Sequence, residues 1–282
     1  MYKESVDKVA IIQATRKKTA DIISQVLQSL EGESELSIRD KILSKLFESS
    51  ELYPQGWYDP PPGGTSILFG ERPFDRLKYE SIRDQNFWPS ESFRLAEETV
   101  GLIYVSSNDK TTGLIGDHGL TIYRGEDEKI KEHIRTVFNT IYSVADAAKI
   151  GLTFAALYEK TMRIFNENNK HIKWMTTIHD PLKGVHLGHT VPGSMKNDVV
   201  LGHNFEEVKD SVRTKRIYIN AQEQFEIPPT CAFTVEARLV DTRDPQMPNI
   251  FFHFIVTFSG GKKQILTNFD DIFRTVGMNY ML

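Results

Sequence analysis

The sequence predicts an α+β fold in which paired helices cover a curved antiparallel sheet, built as two similar halves. Three observations predict it. A long amphipathic helix ending near a glycine and followed at once by a shorter helix occurs twice. Each helix pair is followed by a variable region and a pair of strand-like runs. Finally, "GESELSIRDKILSKLF" and "GLTFAALYEKTMRIF" occupy equivalent places, and a repeat on this scale implies a pseudo-two-fold arrangement.

Taken in order, "VDKVAIIQATRKKTADIISQVLQSLEG" places Val9, Ile12, Ala20, Ile23, Val26, Leu27 and Leu30 mostly on one helical face, with Gly32 as its stop. The second helix is "SIRDKILSKLFESS". "YPQGWYDPPPGGTS" is irregular, because its prolines and glycines suit neither a helix nor a central strand. "SILFG" reads as a short strand. Residues 71–95 form a long polar and aromatic insertion, expected to be a lid or interface loop. "TVGLIYVSS", the turn "NDKTTG" and "LIGDHGLTIYRG" make a β-hairpin. The third helix carries Ile130, Ile134, Val137, Phe138, Ile141 and Val144 in one stripe and stops at Gly151; "TFAALYEKTMRIFNENN" is the fourth. "CAFTVEARLV" and "NIFFHFIVTFSGGKKQILT" are strands.

Composition narrows the function. The 282 residues have 40% hydrophobic and 26% charged side chains, as ordinary globular proteins do. A net charge of −4 gives no electrostatic basis for nucleic-acid binding. The single Cys231 excludes an intrachain disulfide and suits a reducing compartment. No window approaches the ~20 apolar residues of a membrane span, and the opening run lacks a secretory signal, so a cytoplasmic location is expected.

Three features could carry chemistry. "GVHLGHTVPGS" sets His186 and His189 in a glycine-rich stretch, where they could equally be solvated or simply hydrogen-bonded. Asp117 interrupts an apolar strand between glycines, through turn chemistry or as a buried carboxylate that needs a partner. Glu236 shares a strand face with Thr234 and Arg238, and an ordinary Glu–Arg surface pair is the alternative. One Asp, one His and one Glu from separate strands could hold a divalent ion such as Mn²⁺, Fe²⁺ or Zn²⁺. Trp57, Tyr58, Phe87 and Trp88 beside turns read as packing aromatics, or as pocket walls if functional. "EDEKIKEH" and "DSVRTKR" read as solvated charge runs.

In order and spacing these motifs resemble the pita-bread superfamily of creatinase, methionine aminopeptidase, aminopeptidase P and prolidase. "GLIYVSS" is similar to the strand usually written LIDAG, and "GDHGLTIYRG" to the second Asp strand, SDxTRTF. "HLGHTVPG" resembles GHGIG, "PPTCAFTVEARLV" resembles EPGMVFTVEPGLY, and "FFHFIVTFSGGKKQILT" resembles the strand that closes on VTxxGxxxLT. The resemblance covers nearly the whole chain and implies one pita-bread catalytic domain over 1–282, with 194–230 a further insertion. It implies five ligands, Asp, Asp, His, Glu and Glu, around two metal ions. Here Asp117, His189 and Glu236 match the second Asp, the His and the first Glu. The first Asp falls on Tyr104 or Ser106, with Asp109 at the hairpin tip, and the last Glu falls near Phe251. A family histidine aligns near Leu77–Lys78, and His203 in "LGHNFEE" is the candidate for the second catalytic histidine.

With two of four carboxylates gone, a dinuclear centre is not expected. The leading expectation is a metal-independent hydrolase or lyase, atypical and creatinase-like or aminopeptidase-like. It would act at or near a C–N bond of a small nitrogenous or amino-acid-like molecule, with no cofactor. His189 or His203 would transfer the proton, Glu236 and Asp117 would assist, and Tyr104, His186, Phe251, Lys78 and Arg238 would bind substrate. The alternatives are a catalytically inactive pita-bread binding module and a mononuclear, Xaa-Pro aminopeptidase-like hydrolase with one ion on Asp117, His189 and Glu236. The expected partner is a small-molecule substrate, without nucleic acid or membrane, and the resemblance implies a homodimer.

Overall fold

The computed structural model describes residues 7–28, 31–172, 186–199 and 201–282. Leu30 of the first helical stripe, Gly184 and Val185 of the histidine motif, and the opening run 1–6 lie outside the described residues.

The chain begins with α1 (Lys8–Leu27) and α2 (Glu35–Glu48), whose first turns are capped by Asp7 and Ser34 side chains accepting from backbone N–H groups. Strands β1 (Thr65–Gly70), β2 (Val100–Val105) and β3 (His118–Tyr123) follow as an antiparallel meander. Then come α3 (Glu128–Ala147) and α4 (Phe154–Glu167), capped by Asp127 and Thr153. Next are β4 (Lys170–Ile172), α5 (Phe205–Thr214), β5 (Cys231–Asp241), β6 (Ile250–Ser259), β7 (Lys262–Leu266) and α6 (Asp270–Thr275). Helices α1 and α3 stop at Leu27 and Ala147, a few residues before Gly32 and Gly151, which adopt φ of +73° and +80° in the turns beyond.

The strand order is β1-β2-β3-β6-β5-β4, with β7 added beside β6. Chain order therefore runs inward to β3 in one half and inward to β6 in the other. The halves meet antiparallel where Leu120 stands opposite Phe252. In matching fashion, α1 packs on the central strands β3 and β6 and α2 on β1, while α3 packs on β5 and β6 and α4 on β4. The expected α+β architecture, a curved antiparallel sheet covered by paired helices, is what forms.

Alternation along the strands separates core from site. Phe252 and Phe254 of β6 pack on Phe138 of α3 at ring distances of 5.1 and 5.4 Å, with Phe269 beside them. The intervening residues Phe251 and His253 turn to the other face, opposite Arg238 and Glu236 of β5. That face carries the polar residues discussed below. Residues 71–95 are tied down by Glu35. Its buried carboxylate accepts from the backbone N–H of Phe69 (2.6 Å) and Ser90 (3.0 Å) and from Arg76 (2.6 and 2.9 Å). No described helix is long and apolar enough to cross a membrane.

Candidate functional site

Asp117 sits one residue before β3 and is fully buried. Its carboxylate accepts from the indole Nε1–H of Trp57 (2.9 Å to Oδ1, 3.1 Å to Oδ2) and from the Tyr104 hydroxyl (3.1 Å). Burial pushes its pKa up to about 7, against the pull of those two donors and of Arg16 and Arg216. Gly116, just before it, lets α1 approach closely: a Cβ there would lie 2.5 Å from the Arg16 backbone nitrogen.

Glu236 points from β5 into the space between two imidazoles. Oε1 is 3.5 Å from His189 Nε2 and Oε2 is 3.5 Å from His253 Nε2, with the Thr234 hydroxyl 3.3 Å from Oε1. Burial first, and the charge of Asp117 second, raise the Glu236 carboxyl to about 8, while Arg216 opposes the shift. Arg238 does not pair with it. Its guanidinium stacks on the Tyr79 ring at 3.9 Å, so the Glu–Arg surface pair does not form.

His189 is locked by its backbone. Its N–H donates to Thr234 Oγ1 (2.9 Å), its carbonyl accepts from the Thr234 N–H (2.8 Å), and its Nδ1 lies 2.9 Å from the Thr190 carbonyl. Gly188, at φ +149°, permits this approach, because a Cβ there would meet the Thr234 carbonyl at 2.2 Å. Burial, reinforced by the Arg216 charge, holds His189 well below the usual imidazole range and His186 at about 4. Both rings are therefore neutral at ordinary pH.

These groups border a cavity of about 80 Å³. Trp57, Tyr58, Tyr104 and Phe251 give aromatic walls, Tyr79–Ile82 of the long connection cover one side, and His186, His189, Glu236 and Arg216 supply polarity. Arg216 lies 4.9 Å from the Trp57 ring and 5.2 Å from that of Tyr218. It belongs to "DSVRTKR" and corrects the reading of that run as solvated charge.

The structure thus brings Asp117, His189, Glu236, Tyr104, His186 and Phe251 to one place and leaves three expected residues outside it. His203 is exposed ahead of α5, its backbone N–H bonded to Glu207, because the segment after Ser194 folds as a loop and surface helix. Lys78 pairs outward with Asp75 (3.2 Å), while its neighbour Leu77 takes the buried position. Arg238 is buried behind the wall that it braces through Tyr79 and the Glu80 carbonyl. Asp109 caps the hairpin turn, and Ser106 bonds to the Gly64 carbonyl (2.8 Å). Phe87 and Trp88 are not in the cavity wall, whereas Trp57 and Tyr58 are.

Besides Arg216, two residues escaped sequence reasoning. His253 stands in a run of aromatic and aliphatic residues, and only its register opposite Glu236 brings it to the site. Arg16 sits in "TRKK", where a basic run suggests solvent, yet it is completely buried. Its place four residues after Ile12 on the apolar stripe was the available signal.

The resemblance implies metal ligands, so the donor set decides whether an ion fits. Among the described residues, no three His, Cys, Asp or Glu side chains come together in a way that could hold one. Asp117 spends its oxygens on Trp57 and Tyr104, and Phe251, where the resemblance implies a carboxylate, is an aromatic wall of the cavity. The residues do not fit the ion.

No protein-family model and no curated protein matches the sequence. Solved structures do match in shape. The Xaa-Pro dipeptidase from Bacillus anthracis superposes with a TM-score of 0.61 at 13% identity, over 94% of this chain and 61% of that one. The dipeptidase from Pyrococcus horikoshii OT3 gives 0.62 at 14% identity, over 94% and 61%. The prolidase from Pyrococcus furiosus gives 0.59 at 14%, over 94% and 64%. The fold is the pita-bread fold, and the chain spans about three-fifths of the length of these structures.

Proposed function

We propose that this chain is an atypical pita-bread enzyme that works without a metal centre. It would transfer a proton during chemistry at or near a C–N bond of a small nitrogenous or amino-acid-like molecule. The observation that carries this reading is Glu236, a carboxyl in the cavity wall whose pKa is raised to about 8 between neutral imidazoles. Such a group keeps its proton at neutral pH and can give it to a leaving nitrogen as general acid. This moves the proton-carrying role from His189 to Glu236, since burial keeps both His186 and His189 neutral. Arg216 would receive an anionic group of the substrate, and the aromatic walls would flank its planar part.

Cavity size supports a small substrate. About 80 Å³ is roughly half of the ~150 Å³ that accommodates benzene in an engineered protein cavity. A peptide would need the Tyr79–Ile82 wall to move.

The test is release of ammonia or amine from a panel of small nitrogenous carboxylates, with and without a chelator. Turnover that survives chelation and is lost in Glu236→Gln is expected. Robust release of amino acids from Xaa-Pro dipeptides, stimulated by Mn²⁺ or Co²⁺, would overturn the proposal. Tight binding of a panel member with no turnover would also overturn it, in favour of a binding module.

A further inference from the structure

We infer that Arg238 is a concealed anion-binding residue of the cavity, uncovered when the Tyr79 side chain swings away. Together with Arg216 it selects ligands that carry two anionic groups, that is, small dicarboxylates. The inference rests on the cavity proposed above and narrows its substrate to a class.

Arg238 stands on the β5 face that carries Thr234 and Glu236, opposite Phe251 of the cavity wall. It is 1% exposed, and a cation so far removed from water ordinarily has a carboxylate beside it. Among the described residues no carboxylate pairs with it. Glu236 faces His189 and His253, and Asp241 is bound to Lys170 (2.5 Å). Nε and Nη1 of Arg238 are buried without a hydrogen-bond partner, and Nη2 reaches the Glu80 carbonyl at a long 3.5 Å. What stands in place of an anion is the Tyr79 ring, 3.9 Å away. A phenol face holds a cation less strongly than a carboxylate does, so this contact can be exchanged for a better one.

Tyr79 is at the same time a wall of the cavity, which puts the guanidinium directly behind that wall. The closed cavity, about 80 Å³, is too small for a dicarboxylate. Displacing Tyr79 enlarges it and uncovers Arg238 in one movement. Local bonding permits the movement. Glu35 anchors the connection at Arg76 and Ser90, but among the described residues no backbone hydrogen bond joins 79–82 to a strand. The Leu77 and Glu80 carbonyls are held by side chains, those of Asn249 (3.1 Å) and of Arg238 itself.

Arg216 completes the pattern. It lines the cavity, and its charge acts on Asp117 and Glu236 through space. Among the described residues, however, it contacts no carboxylate, and its Nε has no partner. Two cations without a contacting anion therefore border one hollow, Arg216 open to it and Arg238 behind Tyr79. A ligand with two anionic ends supplies both.

Calorimetric titration of succinate, glutarate and adipate, each against the monocarboxylate of equal chain length, tests this on the native chain. One dicarboxylate is expected to bind about tenfold more tightly than its monocarboxylate, as one further charge-assisted contact provides. In Arg238→Met that ratio should fall to near unity. Arg238→Lys, which keeps the charge, should restore part of it, and Tyr79→Ala should preserve it. A residue that merely braces the wall confers no such preference. Phenylglyoxal labelling mapped by mass spectrometry gives a second readout on the unaltered protein. Arg238 should react slowly as Tyr79 opens, and the preferred dicarboxylate should protect it more than its monocarboxylate does. Equal affinity for the two classes, binding of neither, or a preference that survives Arg238→Met would overturn the inference. An Arg238 that never reacts, or that the dicarboxylate does not protect, would overturn it as well, and this arm decides should Arg238→Met not fold. The proposed reaction fails separately: a dicarboxylate that binds as expected without turnover defeats that reading and leaves this one standing.

Discussion

Glu236 and His253 stand directly opposite one another on adjacent antiparallel strands, with Oε2 and Nε2 3.5 Å apart. Directly opposed pairs on one sheet face are the closest cross-strand neighbours, so the register of β5 on β6 creates this contact. His189 reaches the other oxygen because its short segment pairs with β5 through Thr234.

The raised Glu236 carboxyl has a definite consequence for stability. A folded-state value of about 8 against an ordinary 4.5 means that folding binds a proton between those limits. That contribution is complete at low pH and is lost as pH rises towards 8. The buried histidines, lowered from 6.5, act in the opposite sense but only below 6.5. Between about pH 6.5 and 8, wild-type stability should therefore fall, and Glu236→Gln should flatten the decline. Thermal melts across that range measure it.

Arg216→Met should weaken binding of small carboxylates and leave the fold intact. Arg216 touches the cavity through Trp57 and Tyr218, and Met retains much of its apolar stem. Loss of one charge-assisted contact corresponds to about a tenfold increase in Kd. Calorimetric titration with the same ligands at two salt concentrations checks this, since the charge-dependent part should shrink with salt.

Glu35→Ala should release the segment that closes the cavity. Glu35 holds Arg76 and the Ser90 N–H of the connection to the Phe69 N–H of β1. Removing it strands a largely buried guanidinium, and breaking such a pair costs about 3–5 kcal/mol. Denaturant unfolding should register the loss, and limited proteolysis should cut between residues 71 and 95 faster than in the native protein.

Much of the fold was legible because helical and strand periodicities are local properties of sequence. The stripe of α3 from Ile130 to Val144 and the strand "CAFTVEARLV" both form where patterning puts them. Asp117, His189 and Glu236 were also legible, each being a polar residue in a setting that demands a partner. His203 and Lys78 were not placed correctly, because position along a segment does not say whether it turns inward. Arg216 was hidden for the converse reason, in a charged run whose one inward member is chosen by packing.

The sequence by itself determined the paired helices, the strands and the three polar residues that break apolar runs, because each follows from the spacing of neighbours along the chain. Tertiary structure alone decided that His253 lies opposite Glu236, that Arg16 plugs the sheet beside Gly116, and that Arg216 joins the aromatic walls. Those outcomes depend on strand register and helix approach, which unite residues that local spacing does not relate, among them Arg16 and His253, 237 positions apart.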